Sequence, residues 1–99
     1  MKNTNNLLKN SMTDKETLIQ FPCNFPIKII GKKTELFAAE INEIIYKHFP
    51  ETPDEAIVYQ ESMRGNYLSI TVTVYVHDQQ SLDALYQEIT KHPDIKMVL

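Results

Sequence analysis

The chain reads as an α+β sandwich of order βαββαβ, a four-stranded antiparallel sheet with two helices packed on one face. Three observations lead there. From Leu68 the sequence alternates strictly, with Leu68, Ile70, Val72, Val74 and Val76 on one side and Tyr67, Ser69, Thr71, Thr73 and Tyr75 on the other. Period two over that length, carried by β-branched residues and Tyr, is a strand with one buried face. Two stretches with helical period flank the hairpin region, and short apolar runs stand at the two ends of the pattern. Both helices follow strands, so a compact two-layer domain places them on the same side of the sheet.

In chain order, residues 1–19, MKNTNNLLKNSMTDKETLI, are rich in Asn, Thr and Lys, with scattered Leu and no period. Such a segment is expected to be a mobile tail, because it buries too little to offset its ordering entropy. Translation from Met12 would still yield the whole predicted domain, so residues 1–11 are expected to be dispensable or a misassigned start. Residues 20–99 form the single domain.

FPCNFPIKIIG, from Phe21 to Gly31, is the first strand. Proline is tolerated where a strand starts, since its missing N–H costs no ladder bond there. Phe25, Ile27 and Ile29 share one face, and Lys28 and Ile30 the other. Thr34 is the expected N-cap of the first helix, with Glu35 in its first turn. Phe37, Ile41, Ile44, Ile45 and His48 form its inward stripe. Glu43 and Lys47 form an expected i, i+4 ion pair, and Pro50 ends the helix.

Ile57 to Tyr59 begins a short second strand. Gly65, expected at positive φ, turns it into the long strand as a β-hairpin. Asp78 is the expected cap of the second helix, whose apolar face is Leu82, Leu85, Tyr86 and Ile89. Pro93 stops that helix and IKMVL, Ile95 to Leu99, is the last strand. Strands one and three take the centre, and two and four the edges.

Composition excludes several functions. Ninety-nine residues with 42 % apolar content suit one modest core. No run approaches the ~18 apolar residues of a membrane span, and no secretory signal is expected from the polar Asn and Thr that follow Lys2. The only cysteine, Cys23, has no partner for an internal disulfide, which fits a cytoplasmic location. No sequence neighbour would obviously lower its thiol pKa, so it reads as a half-buried strand-edge residue. Net charge is −3, with +1 on residues 1–20 and −4 on the rest. An acidic domain lacks the clustered cations of a nucleic-acid binder and has no attraction to anionic membranes.

His48, His77 and His92 each end an element and lack ligand spacing, so no metal or cofactor is expected. No nucleophile–base pair or carboxylate dyad falls on one site, and the chain is not expected to be an enzyme.

With the elements in place, three patterns resemble the YbeD-like family of small, uncharacterised bacterial proteins. They are FP-x-x-F-x-x-K-x-x-G from Phe21 to Gly31, S-x-x-G-N-Y-x-S-x-T from Ser62 to Thr71, and the ending Met97, Val98, Leu99. The turn that carries the second pattern is Ser62, Gly65, Asn66 and Tyr67. The resemblance implies a ferredoxin-like, ACT-like fold, an αβ plait in which regulatory modules bind amino acids or other small molecules. It places the effector beside Gly31, Lys32, Lys33 and Thr34, between the first strand and the first helix, often where two copies meet. Amides opening a helix would favour an anionic group there. Lys32 and Lys33 would meet it, although lysines also simply solvate turns. Members of the family are often encoded near lipoate-transfer genes.

Two functions follow from these residues. One is a regulatory sensor of a small anionic, amino-acid-like molecule. The other is a protein-interaction module using the uncovered sheet face, with Lys28, Ile30, Ser69, Thr71, Thr73 and Tyr75, or using the apolar last strand. A small-molecule effector, a protein partner and a homodimer are the partners these readings imply. RNA-recognition modules place stacking aromatics on that face, but Asn66 and Leu68 stand at the aromatic positions.

Overall fold

The computed structural model of the chain describes residues 20–99, and the expected tail and alternative start at Met12 lie outside them. The elements are β1 (Cys23–Lys32), α1 (Phe37–His48), a 3₁₀ turn (Asp54–Ala56), β2 (Ile57–Glu61), β3 (Tyr67–Val76), α2 (Gln79–Thr90) and β4 (Ile95–Val98). The sheet runs β2-β3-β1-β4 with every pairing antiparallel, so the βαββαβ order and the central pair are as the alternation predicts.

The ten-residue register between β1 and β3 sets Ile27 against Val72 and Ile29 against Ile70. Those four, with Val74 and Val76, are completely buried. They pack against Phe37, Ile41 and Ile45 of α1 and Leu82, Leu85 and Ile89 of α2. Each such side chain contributes ~2 kcal/mol of transfer free energy, which makes this one cluster the main stabilising feature.

Pro26 sits within β1 without cost for a geometric reason. Lys28 exchanges both main-chain bonds with Leu99, so the even residues of β1 turn their main chain toward β4. The described pairing of β4 with β1 goes no further than Leu99, and among the described residues Pro26 faces no partner that needs an N–H.

Several local expectations are corrected. Thr34 does not cap α1: the helix starts at Phe37, its N-cap is Leu36, and no side chain caps it. The Thr34 carbonyl accepts instead from Phe37 N–H, one turn earlier. Glu40, and not Glu35, is the acidic residue of the first helical turn. The Glu43–Lys47 pair is replaced, because the Lys47 ammonium reaches across to Glu88 of α2 at 3.1 Å. The first strand does not stop at Gly31, since β1 runs through a register shift to Lys32. Asp78 does cap α2, accepting from Ser81 N–H at 2.8 Å. That bond holds its carboxyl below the usual range.

Candidate functional site

The turn from Gly31 to Thr34 is closed by the protein itself. A Cβ on Gly31 would run into the Phe37 ring and lie 2.7 Å from the Asp94 carbonyl oxygen. The glycine is therefore required by packing against α1 and the start of β4. Lys32 N–H donates to Asp94, Lys33 N–H to Asn66 and Thr34 N–H to Lys32. The Lys33 ammonium pairs with Glu61 at 2.7 Å. The four residues sit together as the chain order requires, with three of their amides and one ammonium engaged internally.

The hairpin explains its sequence pattern. Ser62 N–H donates to the Tyr67 carbonyl, Tyr67 N–H returns a bond to Ser62 Oγ at 3.1 Å, and Gly65 takes φ of 75°. The Asn66 carbonyl then receives Lys33 N–H, tying the hairpin to the loop before α1. Ser62, Gly65, Asn66 and Tyr67 are thus one latch between two loops.

The uncovered sheet face gathers the residues expected on it. Register sets Lys28 beside Thr71 and Ile30 beside Ser69, while Thr73 pairs with Pro26 and Tyr75 with Asn24. Sequence reasoning missed further members. Val58 of β2 lies beside Thr71, and Met97 of β4 beside Ile30. Lys32 joins the face because β1 continues past Gly31, opposite Tyr67. The Lys96 ammonium stands 5.8 Å from the centre of the Tyr67 ring, a cation–π contact. Lys28, Lys32 and Lys96 all belong to this face, and none of its described strand positions carries Asp or Glu. Val58, Tyr75 and Met97 are each about half exposed. A hollow of about 360 Å³ opens there, lined by Lys28, Ile30, Tyr67 and Ser69 among others and bordered by Glu61, whose carboxylate pairs with Lys33. Ser69 Oγ is buried and has no hydrogen-bond partner among the described residues.

The remaining expected residues occupy the seams. Cys23 is half-buried at the start of β1. His48 Nε2 meets Glu88 at 2.7 Å and His92 Nε2 meets Glu40 at 2.7 Å, so both tie α1 to the region of α2. His77 packs edge-on against Tyr75. Among the described residues no three His, Cys, Asp or Glu side chains converge as metal ligands. No described helix is long and apolar enough to cross a membrane.

The architecture agrees with comparisons to known proteins. The family model described as "Protein of unknown function (DUF493)" matches residues 16–99. The chain belongs to this family. A UPF0250 protein of Chromobacterium violaceum is 40% identical over 86 residues, covering 87% of this chain and 97% of that protein. The UPF0250 protein NE1487 of Nitrosomonas europaea is 38% identical over 84 residues, covering 85% and 97%. These are the small bacterial proteins that the YbeD-like resemblance pointed to.

Among solved structures, the ACT domain from GTP pyrophosphokinase of Chlorobium tepidum superposes with a TM-score of 0.61 at 20% identity, covering 77% of this chain and 84% of that one. Protein HP0495 from H. pylori gives a TM-score of 0.63 at 15% identity, covering 82% and 85%. The DUF493 chain therefore has an ACT-like fold.

Proposed function

We propose that this DUF493 protein is a non-enzymatic regulatory module that docks through its uncovered sheet face onto an acidic surface of a partner protein. One observation carries the reading. In a chain of net charge −3, the lysines at 28, 32 and 96 share one face that holds no Asp or Glu among its described strand positions. Exposed apolar side chains share the face, Met97 in the row between Lys28 and Lys32, Val58 across β3 from Lys28 and Tyr75 toward the far end, giving a face on which apolar and cationic groups alternate. Complementary charge steers association and selects the partner, while the apolar groups supply affinity. Facing lysines would oppose the same face of a second copy, so the occupant is a different, acidic protein.

The test is affinity capture from the native cell extract with the wild type and with Lys28→Glu/Lys32→Glu, both checked for folding. An acidic partner should be enriched by the wild type, lost with the double variant and released by moderate salt, since screening weakens such contacts. A partner retained by the double variant places the contact elsewhere.

A second reading rests on the Ser69 hydroxyl. A small carboxylate in the hollow beside Lys28 and Tyr67 would partner that buried group, moving the anionic effector site from the Gly31–Thr34 turn onto the sheet. Amino acids, keto acids and lipoyl-type acids should then raise the melting temperature of the wild type and not of Ser69→Ala. A flat response across that set removes the sensor reading.

A further inference from the structure

The other end of the sheet carries a groove whose main-chain edge neither reading uses. It holds about 590 Å³ of free space between the last residues of β3 and the loop joining α1 to β2. Phe49, Pro50 and Pro53 line one wall, and Thr73, Tyr75 and His77 the other. The volume lies within the range of small-ligand and peptide pockets, ~300–1,000 Å³.

The main chain on the β3 wall is unusual. Because the even residues of β1 face β4, its odd residues face β3, and their partners Leu68 to Val76 in alternation return those bonds. Tyr67, Ser69, Thr71, Thr73 and Tyr75 therefore turn their N–H and C=O groups toward β2. The ladder with β2 runs only from Glu61 opposite Leu68 to Ile57 opposite Val72. Tyr75 lies beyond its end. The loop that follows the groove bonds to itself instead, with Thr52 N–H to Phe49 and Ala56 N–H to Pro53. Among the described residues no strand or loop hydrogen-bonds to the main chain of Tyr75 on its β2 side.

The loop wall is fixed in place, and its 3₁₀ turn lies beside β3 without a hydrogen bond to the main chain of Tyr75 among the described residues. The Tyr46 hydroxyl donates to Asp54, a bond that pushes its pKa up to about 12. Thr52 Oγ1 donates to the Phe49 carbonyl at 2.8 Å. Of the loop's carboxylates Glu51 lines the groove, Asp54 is engaged by Tyr46 and Glu55 stands outside the lining; the loop has no Lys or Arg, so its field favours a cation.

We propose that this groove takes an extended peptide with alternating apolar and basic residues, adding it to β3 as a short strand against Tyr75. An added strand would exchange both main-chain bonds with Tyr75 and present alternate side chains to the Phe49 and Pro50 wall. Basic residues at the intervening positions would meet the acidic loop. Tyr75 belongs to both surfaces, through its side chain on the lysine-bearing face and through its main chain at this edge, so the lysine variants and the N-methylated probe test the two sites apart.

The experiment uses the full chain and the probe acetyl-Lys-Val-Lys-Val-Lys-amide, followed by amide NMR. In the free chain, Tyr75 N–H should exchange with solvent at least tenfold faster than those of Val72 and Val74, which bond to β1. Adding the probe should slow Tyr75 exchange and shift resonances of residues 49–53 and 73–77. A probe N-methylated at its central residue, and one with Glu in place of Lys, should each bind at least tenfold more weakly. Protection of Tyr75 in the free chain equal to that of Val74 overturns the proposal, as does protection that grows with protein concentration alone, which would assign the edge to a second copy. Absence of binding by the probe, or equal binding by the N-methylated probe, also overturns it.

Discussion

The two ends of the sheet are built from similar parts and finish in opposite states. At the hairpin end, Gly31 is buried under Phe37, the amides of residues 32–34 are spent, and Lys33 holds Glu61. At the far end, β2 stops short of Tyr75 and a groove remains. Each end also has a histidine bridging the helices. His92 uses both ring nitrogens, Nδ1 accepting from Asp94 N–H at 3.1 Å and Nε2 donating to Glu40, and its ring stands edge-on to Phe37. His48 uses Nε2 toward Glu88 and lines the groove. One end thus spends its polar groups on holding the fold, and the other leaves groups available for recognition.

The largest effect should come from opening the closed end. Phe37→Ala removes a completely buried ring and should cost about 3–5 kcal/mol. Denaturant unfolding with an unchanged slope and a lower midpoint would show it; a loss below 1 kcal/mol would mean that the end is not sealed by this ring. Gly31→Ala forces a methyl into the same ring and the Asp94 carbonyl, and should cost about 1–3 kcal/mol. Gly65 separates the two roles of glycine. A Cβ there meets nothing closer than Glu61 Oε1 at 4.0 Å, so Gly65→Ala should cost about 1–2 kcal/mol through its positive φ alone. Asn tolerates that conformation, and Gly65→Asn should be milder than Gly65→Ala. No such rescue is expected at Gly31, and equal behaviour of Asn at both sites would undo the distinction.

How much of this was legible follows from which interactions are local. Alternation from Tyr67 to Val76, the inward stripes of both helices and the Asp78 cap are short-range patterns, and the structure follows them. Thr34 misled because the start of α1 is set by tertiary contact, with Phe37 held between Gly31 and His92. Lys47 misled likewise, since a partner on α2 outcompeted one four residues away. Lys32 was assigned to a turn because a glycine reads as the end of a strand, whereas here β1 passes through a bulge and carries Lys32 onto the sheet face. Lys96 and the bare edge at Tyr75 have no sequence signal. The first needs the β1–β4 register, and the second depends on where β2 stops.

The smallest effect tests the far end's histidine bridge. The His48 ring, and after it the Lys47 ammonium, hydrogen-bond to Glu88 and hold its carboxyl below its ordinary value of 4.5. A carboxyl whose pKa is depressed on folding stabilises the folded chain above its unfolded value, and that contribution disappears as pH falls through the folded one. Glu88→Gln should therefore lower the melting temperature slightly above pH 4.5, and the gap to the wild type should close as the pH is taken below it. Glu88 is exposed enough for solvent and salt to screen much of the interaction, so added salt should narrow the gap as well. A gap independent of both pH and salt would mean that Glu88 acts through packing against α1, and that the groove's wall is held by contact instead of charge.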